Sequence, residues 1–278
     1  MSDVFNQMLS RFPVNTVTEK NNAYHEVMQE VILSGLYRSG FFNKAAFYGG
    51  TCLRIFYKLP RFSEDMDFSL LEPDENFTLE PYLNSIVTEF RAMGKEVTIQ
   101  RKDKRTHTQI ESAFLKENTA IYNVQFQTAK SIKIKIEVDK TPPLGFSTEN
   151  KLLLLPFSFM SRCFILSDLF AGKMHAMTFR NWKTRVKGRD WYDFEWYVRN
   201  RVKLNFLHLK NRALQKGYMG KADFTPDVFR RLLKEKIQQT DMKMVINDVR
   251  SFLLNQQELT IWSKNYFLQL VDMIEYVA

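Results

Sequence analysis

The stretch 131–139 constrains the fold more than any other part of the chain. Ile132, Ile134, Ile136 and Val138 alternate with Lys133, Lys135, Glu137 and Asp139. A period of two marks a strand with one buried and one wet face. Such a strand needs neighbours, and two further β-rich stretches precede it, 96–101 and 119–128. Thr141-Pro142-Pro143-Leu144-Gly145 ends it, because consecutive prolines cannot continue a central strand.

Upstream, helical and strand signals alternate. Residues 19–39 carry apolar positions at helical spacing (Val27, Val31, Ile32, Leu36) and stop at Gly40. Ala45-Ala46-Phe47-Tyr48 reads as a strand entering a tight turn at Gly49-Gly50, and 51–57 as one or two helical turns. Residues 65–70 alternate again as a strand, and 79–93 form an amphipathic helix. From Leu166 the texture is helical, with helices expected over 166–179, 188–199, 205–215, 227–239, 242–253 and 258–276. The outline is α+β: an α/β domain over 1–160, a helical domain over 161–278, and a join between about Pro142 and Ser161.

Composition closes off several classes. With 278 residues, 45% hydrophobic and 26% charged, the chain is too apolar for wholesale disorder. Two cysteines, Cys52 and Cys163, are too few for a disulfide framework or a four-thiolate metal site, and small buried hydrophobes are the expected use. The most apolar run, 152–160, is broken by Pro156 and too short to span a bilayer; residues 1–12 lack a signal-peptide layout. A soluble, cytoplasmic protein with no membrane partner is the expectation.

The charge is lopsided. Residues 1–160 hold 19 basic and 19 acidic side chains, whereas 161–278 hold 21 and 12, so the net +9 lies wholly in the second part. Its densest run is Arg180, Lys183, Arg185, Lys187 and Arg189. A one-sided basic field draws polyanions, although basic helices also simply keep proteins in solution. Trp182, Trp191, Tyr192 and Trp196 interleave with the run; such aromatics stack on bases or fill a core, and core is the expected use of Trp196.

Chemistry concentrates around Gly49-Gly50-Thr51 and Arg61-Phe62-Ser63-Glu64-Asp65-Met66-Asp67-Phe68. Aspartates at i and i+2 on a strand share a face and a hard cation. Glu137 would add a third carboxylate from the best strand, with Asp139 as the alternative. A glycine turn opening a helix offers backbone N–H groups to phosphates. Taken singly, each feature has a plainer use: a solvated strand face, a turn, a Glu137 paired with Lys133 or Lys135.

The order strand, Gly-Gly turn, helix, Asp-x-Asp strand, h-E-h strand resembles the DNA polymerase β-like nucleotidyltransferase superfamily. Within it the chain resembles the AbiEii/AbiGii toxin family, which includes the MenT-type toxins. Phe47 through Arg54, Arg61 through Phe68 and Lys135-Ile136-Glu137-Val138 carry the likeness. So do Asp168 through Ala176, containing Lys173, and Arg189-Asp190-Trp191-Tyr192-Asp193-Phe194. Residues 20–200 are covered, and the tail from Leu204 has no matching motif. Gly50-Thr51 stands where many relatives have Gly-Ser, which keeps a hydroxyl for a phosphate.

The resemblance implies a nucleotidyltransferase domain with a mixed sheet, two Mg²⁺ ions on Asp65, Asp67 and Glu137, and an NTP substrate. Gly49, Gly50, Thr51, Arg54, Ser63, Lys173 and Asp193 would hold the nucleotide, with Lys173 neutralising the triphosphate. Asp190 would orient Lys173 or touch the nucleotide. Lys173 also reads as a rim lysine, and Asp190 and Asp193 as first-turn acids favoured by the helix dipole. The implied acceptor is RNA, the 3′ end of a tRNA, held by Arg180, Lys183, Arg185, Lys187 and Arg189, with a cognate antitoxin as partner. AMP transfer to a protein hydroxyl, a non-catalytic NTP-binding module and a basic RNA-binding protein are the rival readings.

Overall fold

The computed structural model describes residues 4–101, 119–126, 133–180, 186–215, 217 and 224–277. It is a mixed α+β fold that divides into two compact units.

The first unit takes in 1–58, 62–142 and 148–163. Helices α1 (Val4–Leu9) and α2 (Val17–Arg38) lead into β1 (Ala45–Tyr48), α3 (Gly49–Tyr57), β2 (Met66–Leu70) and α4 (Glu80–Ala92). Strands β3 (Val97–Arg101), β4 (Thr119–Phe126), β5 (Lys133–Asp139), β6 (Thr148–Leu153) and β7 (Phe159–Phe164) complete a seven-stranded sheet ordered β3-β4-β5-β2-β1-β7-β6. The sheet is mixed: β2 runs antiparallel to β1 and parallel to β5, and β1 runs parallel to β7.

α2 starts where its sequence allows. Thr16 caps it with a capping box, its hydroxyl accepting from Glu19 N while Glu19 reaches back to Thr16 N. The apolar face of β5, Ile134, Ile136 and Val138, is fully buried as the alternation required. Phe47 of β1 and Phe68 of β2 stack at 4.9 Å on the same side, with Phe41 edge-on to Phe68 at 5.1 Å. The opposite face of β2 and β5 keeps the carboxylates.

Two strands escaped the sequence reading. β6 and β7 lie in the stretch expected to join two domains, and β7 pairs with β1 through Cys163 and Phe47. Neither Thr148–Leu153 (Thr-Glu-Asn-Lys-Leu-Leu) nor Phe159–Phe164 (Phe-Met-Ser-Arg-Cys-Phe) alternates apolar with polar residues in sequence, so no strand period marks them.

The second unit takes in 59–61, 143–147 and 164–278. It carries α5 (Leu166–Phe179), α6 (Gly188–Arg199), α7 (Phe206–Gln215), α8 (Pro226–Gln239), α9 (Met242–Val249) and α10 (Lys264–Asp272). Phe170 of α5 stacks on Tyr197 of α6 at 4.4 Å, and Trp191 meets Phe267 of α10 edge-on at 4.9 Å. A Cβ on Gly188 would collide with the Val245 carbonyl, so glycine lets α6 start hard against α9. The helix expected over 258–276 is instead a 3₁₀ stretch, Gln256–Ile261, then α10; Ser263 caps the new start through Tyr266 N.

Among the described residues, no helix is long and apolar enough to cross a membrane.

Candidate active site

In the first unit, backbone register builds a carboxylate face. β2 and β5 pair in parallel with Asp67 opposite Glu137 and Met66 opposite Ile136. Partners in register point to the same side, so Asp67 and Glu137 stand together. Asp139 pairs instead with Ser69, two positions further along, and is buried. Asp65 precedes β2 by one residue, and both aspartates and Glu137 are half-buried.

Three contacts fix the approach to Asp65. The Thr51 hydroxyl donates to the Asp65 carbonyl, and Gln29 Nε2 donates to the Ser63 and Glu64 carbonyls at 2.9 and 3.0 Å. Thr51 is fully buried. Its hydroxyl therefore anchors the Asp-x-Asp segment to the start of α3, a different use from the phosphate contact expected of it. Gly49 is needed twice over: its φ is +84°, and a Cβ there would stand 2.5 Å from Asp67 Oδ2. Arg54 lies on α3 but pairs with Glu26 at 2.9 Å and covers the Phe62 ring at 4.5 Å.

The face also holds a cation. The Lys135 ammonium pairs with the Glu137 carboxylate. Burial pulls its pKa down, but Glu137, Asp65 and Asp67 outweigh that and raise it. As for a metal, the donor set fits a hard divalent ion, being carboxylate oxygen throughout, and glycine at 49 places no Cβ against Asp67 Oδ2. Among the described residues, however, no three His, Cys, Asp or Glu side chains are drawn together closely enough to hold an ion.

In the second unit, Lys173 of α5 lies between two acids of α6, 2.6 Å from Asp190 Oδ1 and 2.7 Å from Asp193 Oδ2. Asp193 also takes a two-pronged bond from Arg61, at 2.6 and 2.7 Å. Arg61 is 2% exposed and Asp193 0%. Burial drives the Asp190 carboxyl up, yet Lys173, Lys187 and Arg180 override it and hold it well below the usual carboxylate range. Asp193 is likewise held low by Arg61 and Lys173 against its burial. Asp193, expected at the nucleotide, is thus committed to two cations inside its unit.

The basic run divides. Lys183 and Arg185 lie outside the described residues, as does Trp182. Arg180 is exposed. Lys187 is half-buried, and burial lowers its pKa against the pull of Asp190. Arg189 is 8% exposed, with its guanidinium over the Phe252 ring at 4.1 Å, which leaves little of it to meet a phosphate. Trp191 and Tyr192 are core, whereas Trp196 is only half-buried.

Arg61 and Gln29 received no role from sequence reasoning. Arg61 sat inside the quoted motif with nothing to single it out. Gln29 carried a usable signal, a polar residue amid the apolar positions of α2.

The profile of the nucleotidyl transferase AbiEii toxin family, from type IV toxin–antitoxin systems, matches residues 31–269. The chain belongs to this family. It is accordingly a nucleotidyltransferase of a toxin family, and membership implies an NTP substrate and an antitoxin partner. Among solved structures it is similar to JHP933 from Helicobacter pylori, with 19% identity, TM-score 0.53, and 91% of this chain and 89% of that one covered. It is also similar to MenT4, a nucleotidyltransferase toxin from Mycobacterium tuberculosis, with 14% identity, TM-score 0.52, and 96% and 97% covered. At such identities the likeness concerns the fold alone. No curated protein matches the chain.

Proposed function

We propose that this AbiEii-family enzyme transfers a nucleoside monophosphate from an NTP to a hydroxyl at the 3′ end of an RNA, a tRNA being the acceptor. The observation that carries the reading is the β2/β5 register, Asp67 beside Glu137 with Asp65 two residues upstream. Asp65, Asp67 and Glu137 would hold the divalent ions, Mg²⁺ in the cell. Bound there, Mg²⁺ would supply an activated acceptor hydroxyl and charge neutralisation at the α-phosphate and the departing pyrophosphate.

The chain's own residues do the rest. Backbone N–H groups at the start of α3, Gly49 to Thr51, receive phosphate oxygens. Thr51 and Gln29 hold the Asp65 segment still through its carbonyls, so the first carboxylate keeps its place as charge builds. Ser63 and Arg54 contact the nucleotide. Lys173 neutralises the triphosphate; Asp190 aims its ammonium, and Asp193 steadies it in turn with Arg61. Arg180, Lys183, Arg185 and Lys187 contact the RNA backbone, with Arg189 bracing their segment. The net charge of +9 confined to 161–278 supports a polyanionic acceptor over a protein. Action in the cytoplasm, where NTPs and tRNA meet, and growth arrest relieved by the antitoxin complete the proposal.

The test incubates the purified chain with each labelled NTP, Mg²⁺, and either total tRNA or cell lysate. Label in RNA, abolished when the RNA's 3′ end is oxidised before the incubation, is the expected result. Label in protein would replace the acceptor by a side-chain hydroxyl. No label in either fraction would overturn the transferase reading for this chain.

A further inference from the structure

We propose that Lys135 is the resident counter-cation of the carboxylate face, and that it makes the site take a divalent ion as the metal–polyphosphate complex rather than as the bare ion. This rests on Asp65, Asp67 and Glu137 being the metal ligands.

The geometry is a checkerboard. Met66 pairs with Ile136 and Asp67 with Glu137, which leaves Asp65 and Lys135 each one residue before the first of these pairs, and the Asp65 carboxylate acts on the Lys135 ammonium. Lys135 and Glu137, at i and i+2, share the polar face of β5, and their ammonium and carboxylate are in contact. A surface lysine–glutamate pair on a strand is ordinarily worth little. This one differs in its surroundings: the side chains are 35% and 27% exposed, and two further carboxylates act on the same ammonium.

The consequence follows from charge. A bare divalent ion approaching Asp65 and Asp67 meets the ammonium and must prise Glu137 from it. The same ion wrapped in a triphosphate carries net negative charge, which the ammonium attracts while Glu137 is exchanged from one cation to another. Lys135 thus opposes the first form and favours the second. It acts through Glu137 and is a positioning residue. The arrangement also explains why three carboxylates on one face are not gathered around a common point.

Mn²⁺ binding to the full chain, measured by electron paramagnetic resonance and calorimetry, tests this. Inorganic tripolyphosphate serves as the polyphosphate, so the preferred base is irrelevant. Lys135→Met and Lys135→Gln should each bind bare Mn²⁺ about tenfold more tightly than wild type, as removal of a unit charge a few ångströms away predicts. The same variants should bind the Mn²⁺–tripolyphosphate complex more weakly than wild type, and Lys135→Arg should stay near wild type in both. Bare-ion affinity unchanged in both variants, or affinity for both forms shifted in the same direction, would overturn the proposal. Asp67→Asn separates it from its foundation: loss of Mn²⁺ binding upholds the ligand reading whatever Lys135 does, and retained binding overturns both.

Discussion

Two charge clusters in this chain contain nearly the same groups and are built to opposite ends. On the β2/β5 face, three carboxylates share one lysine and remain half-buried. In the helical unit, Asp190 and Asp193 share Lys173 and Arg61, two against two, with Arg61 and Asp193 almost wholly buried. The first cluster has acid in excess and gains by taking up cations. The second is balanced inside its own unit, and removing any member strands a buried charge. A charged motif in a sequence therefore carries two messages, chemistry or scaffolding, and the balance of charge after folding separates them.

The largest effect expected is on catalysis at the unbalanced cluster. Asp67→Asn should lower nucleotide incorporation about a thousandfold or more, since a lost metal ligand removes several kcal/mol of transition-state stabilisation. Its melting temperature should hold or rise, because one negative charge is gone from a face with acid in excess. Steady-state incorporation beside a thermal melt reads both quantities. A variant that melts early would mean that Asp67 is structural and that the contrast between the clusters is false.

Asp193→Asn inverts the expectation. The substitution leaves the Arg61 guanidinium and Lys173 facing a neutral amide in a dry interior, a loss of about 3–5 kcal/mol. Urea unfolding should show it as a lowered midpoint with little change in slope. A stability within about 1 kcal/mol of wild type would show that Asp193 is not the keystone of its cluster, and would return it to the nucleotide.

What the sequence made legible follows the same division. Period-two alternation announced β5, and the i, i+2 aspartates announced a shared face, because both depend only on local geometry. The limits of α5 and α6 also matched, 166–179 and 188–199, as their apolar spacing and the glycine at 188 are local signals. Partnership was hidden. Nothing local says that Arg61 will meet Asp193, 132 positions later, or that the Thr51 hydroxyl will be spent on the Asp65 carbonyl. Nor could composition tell that Arg189 turns inward over Phe252 while Arg180, in the same run, stays exposed. Lys135 was visible only as a neighbour of Glu137; its bearing on Asp65 and Asp67 required the register of a second strand.

The smallest effect concerns a third acid, in α2, where burial and pairing meet with the reverse outcome. Glu30 is 3% exposed and bonded to Arg11, which is itself partly in solvent. Burial wins, and with Glu26 nearby the Glu30 carboxyl is pushed up to about 7 from 4.5, against the pull of Arg11. At Asp190 and Asp193 the cations win instead and the pKa falls. The two cases have opposite signs in stability. A depressed carboxyl stabilises the fold above its unfolded pKa and loses that contribution as pH falls. The raised carboxyl of Glu30 binds its proton more tightly in the folded state, so its contribution is complete below pH 4.5 and is lost as pH rises through about 7. The difference amounts to roughly 3 kcal/mol at most, a few degrees of melting temperature for a chain of this size. Glu30→Gln fixes the neutral form. Its melting temperature relative to wild type should therefore climb between pH 5 and pH 8, whereas the deficit of Asp193→Asn should shrink as pH falls below about 4, where wild type loses the contribution of its depressed carboxyl. If the Glu30→Gln difference were flat with pH, Arg11 would be holding Glu30 ionised throughout, and this acid would belong with the balanced cluster.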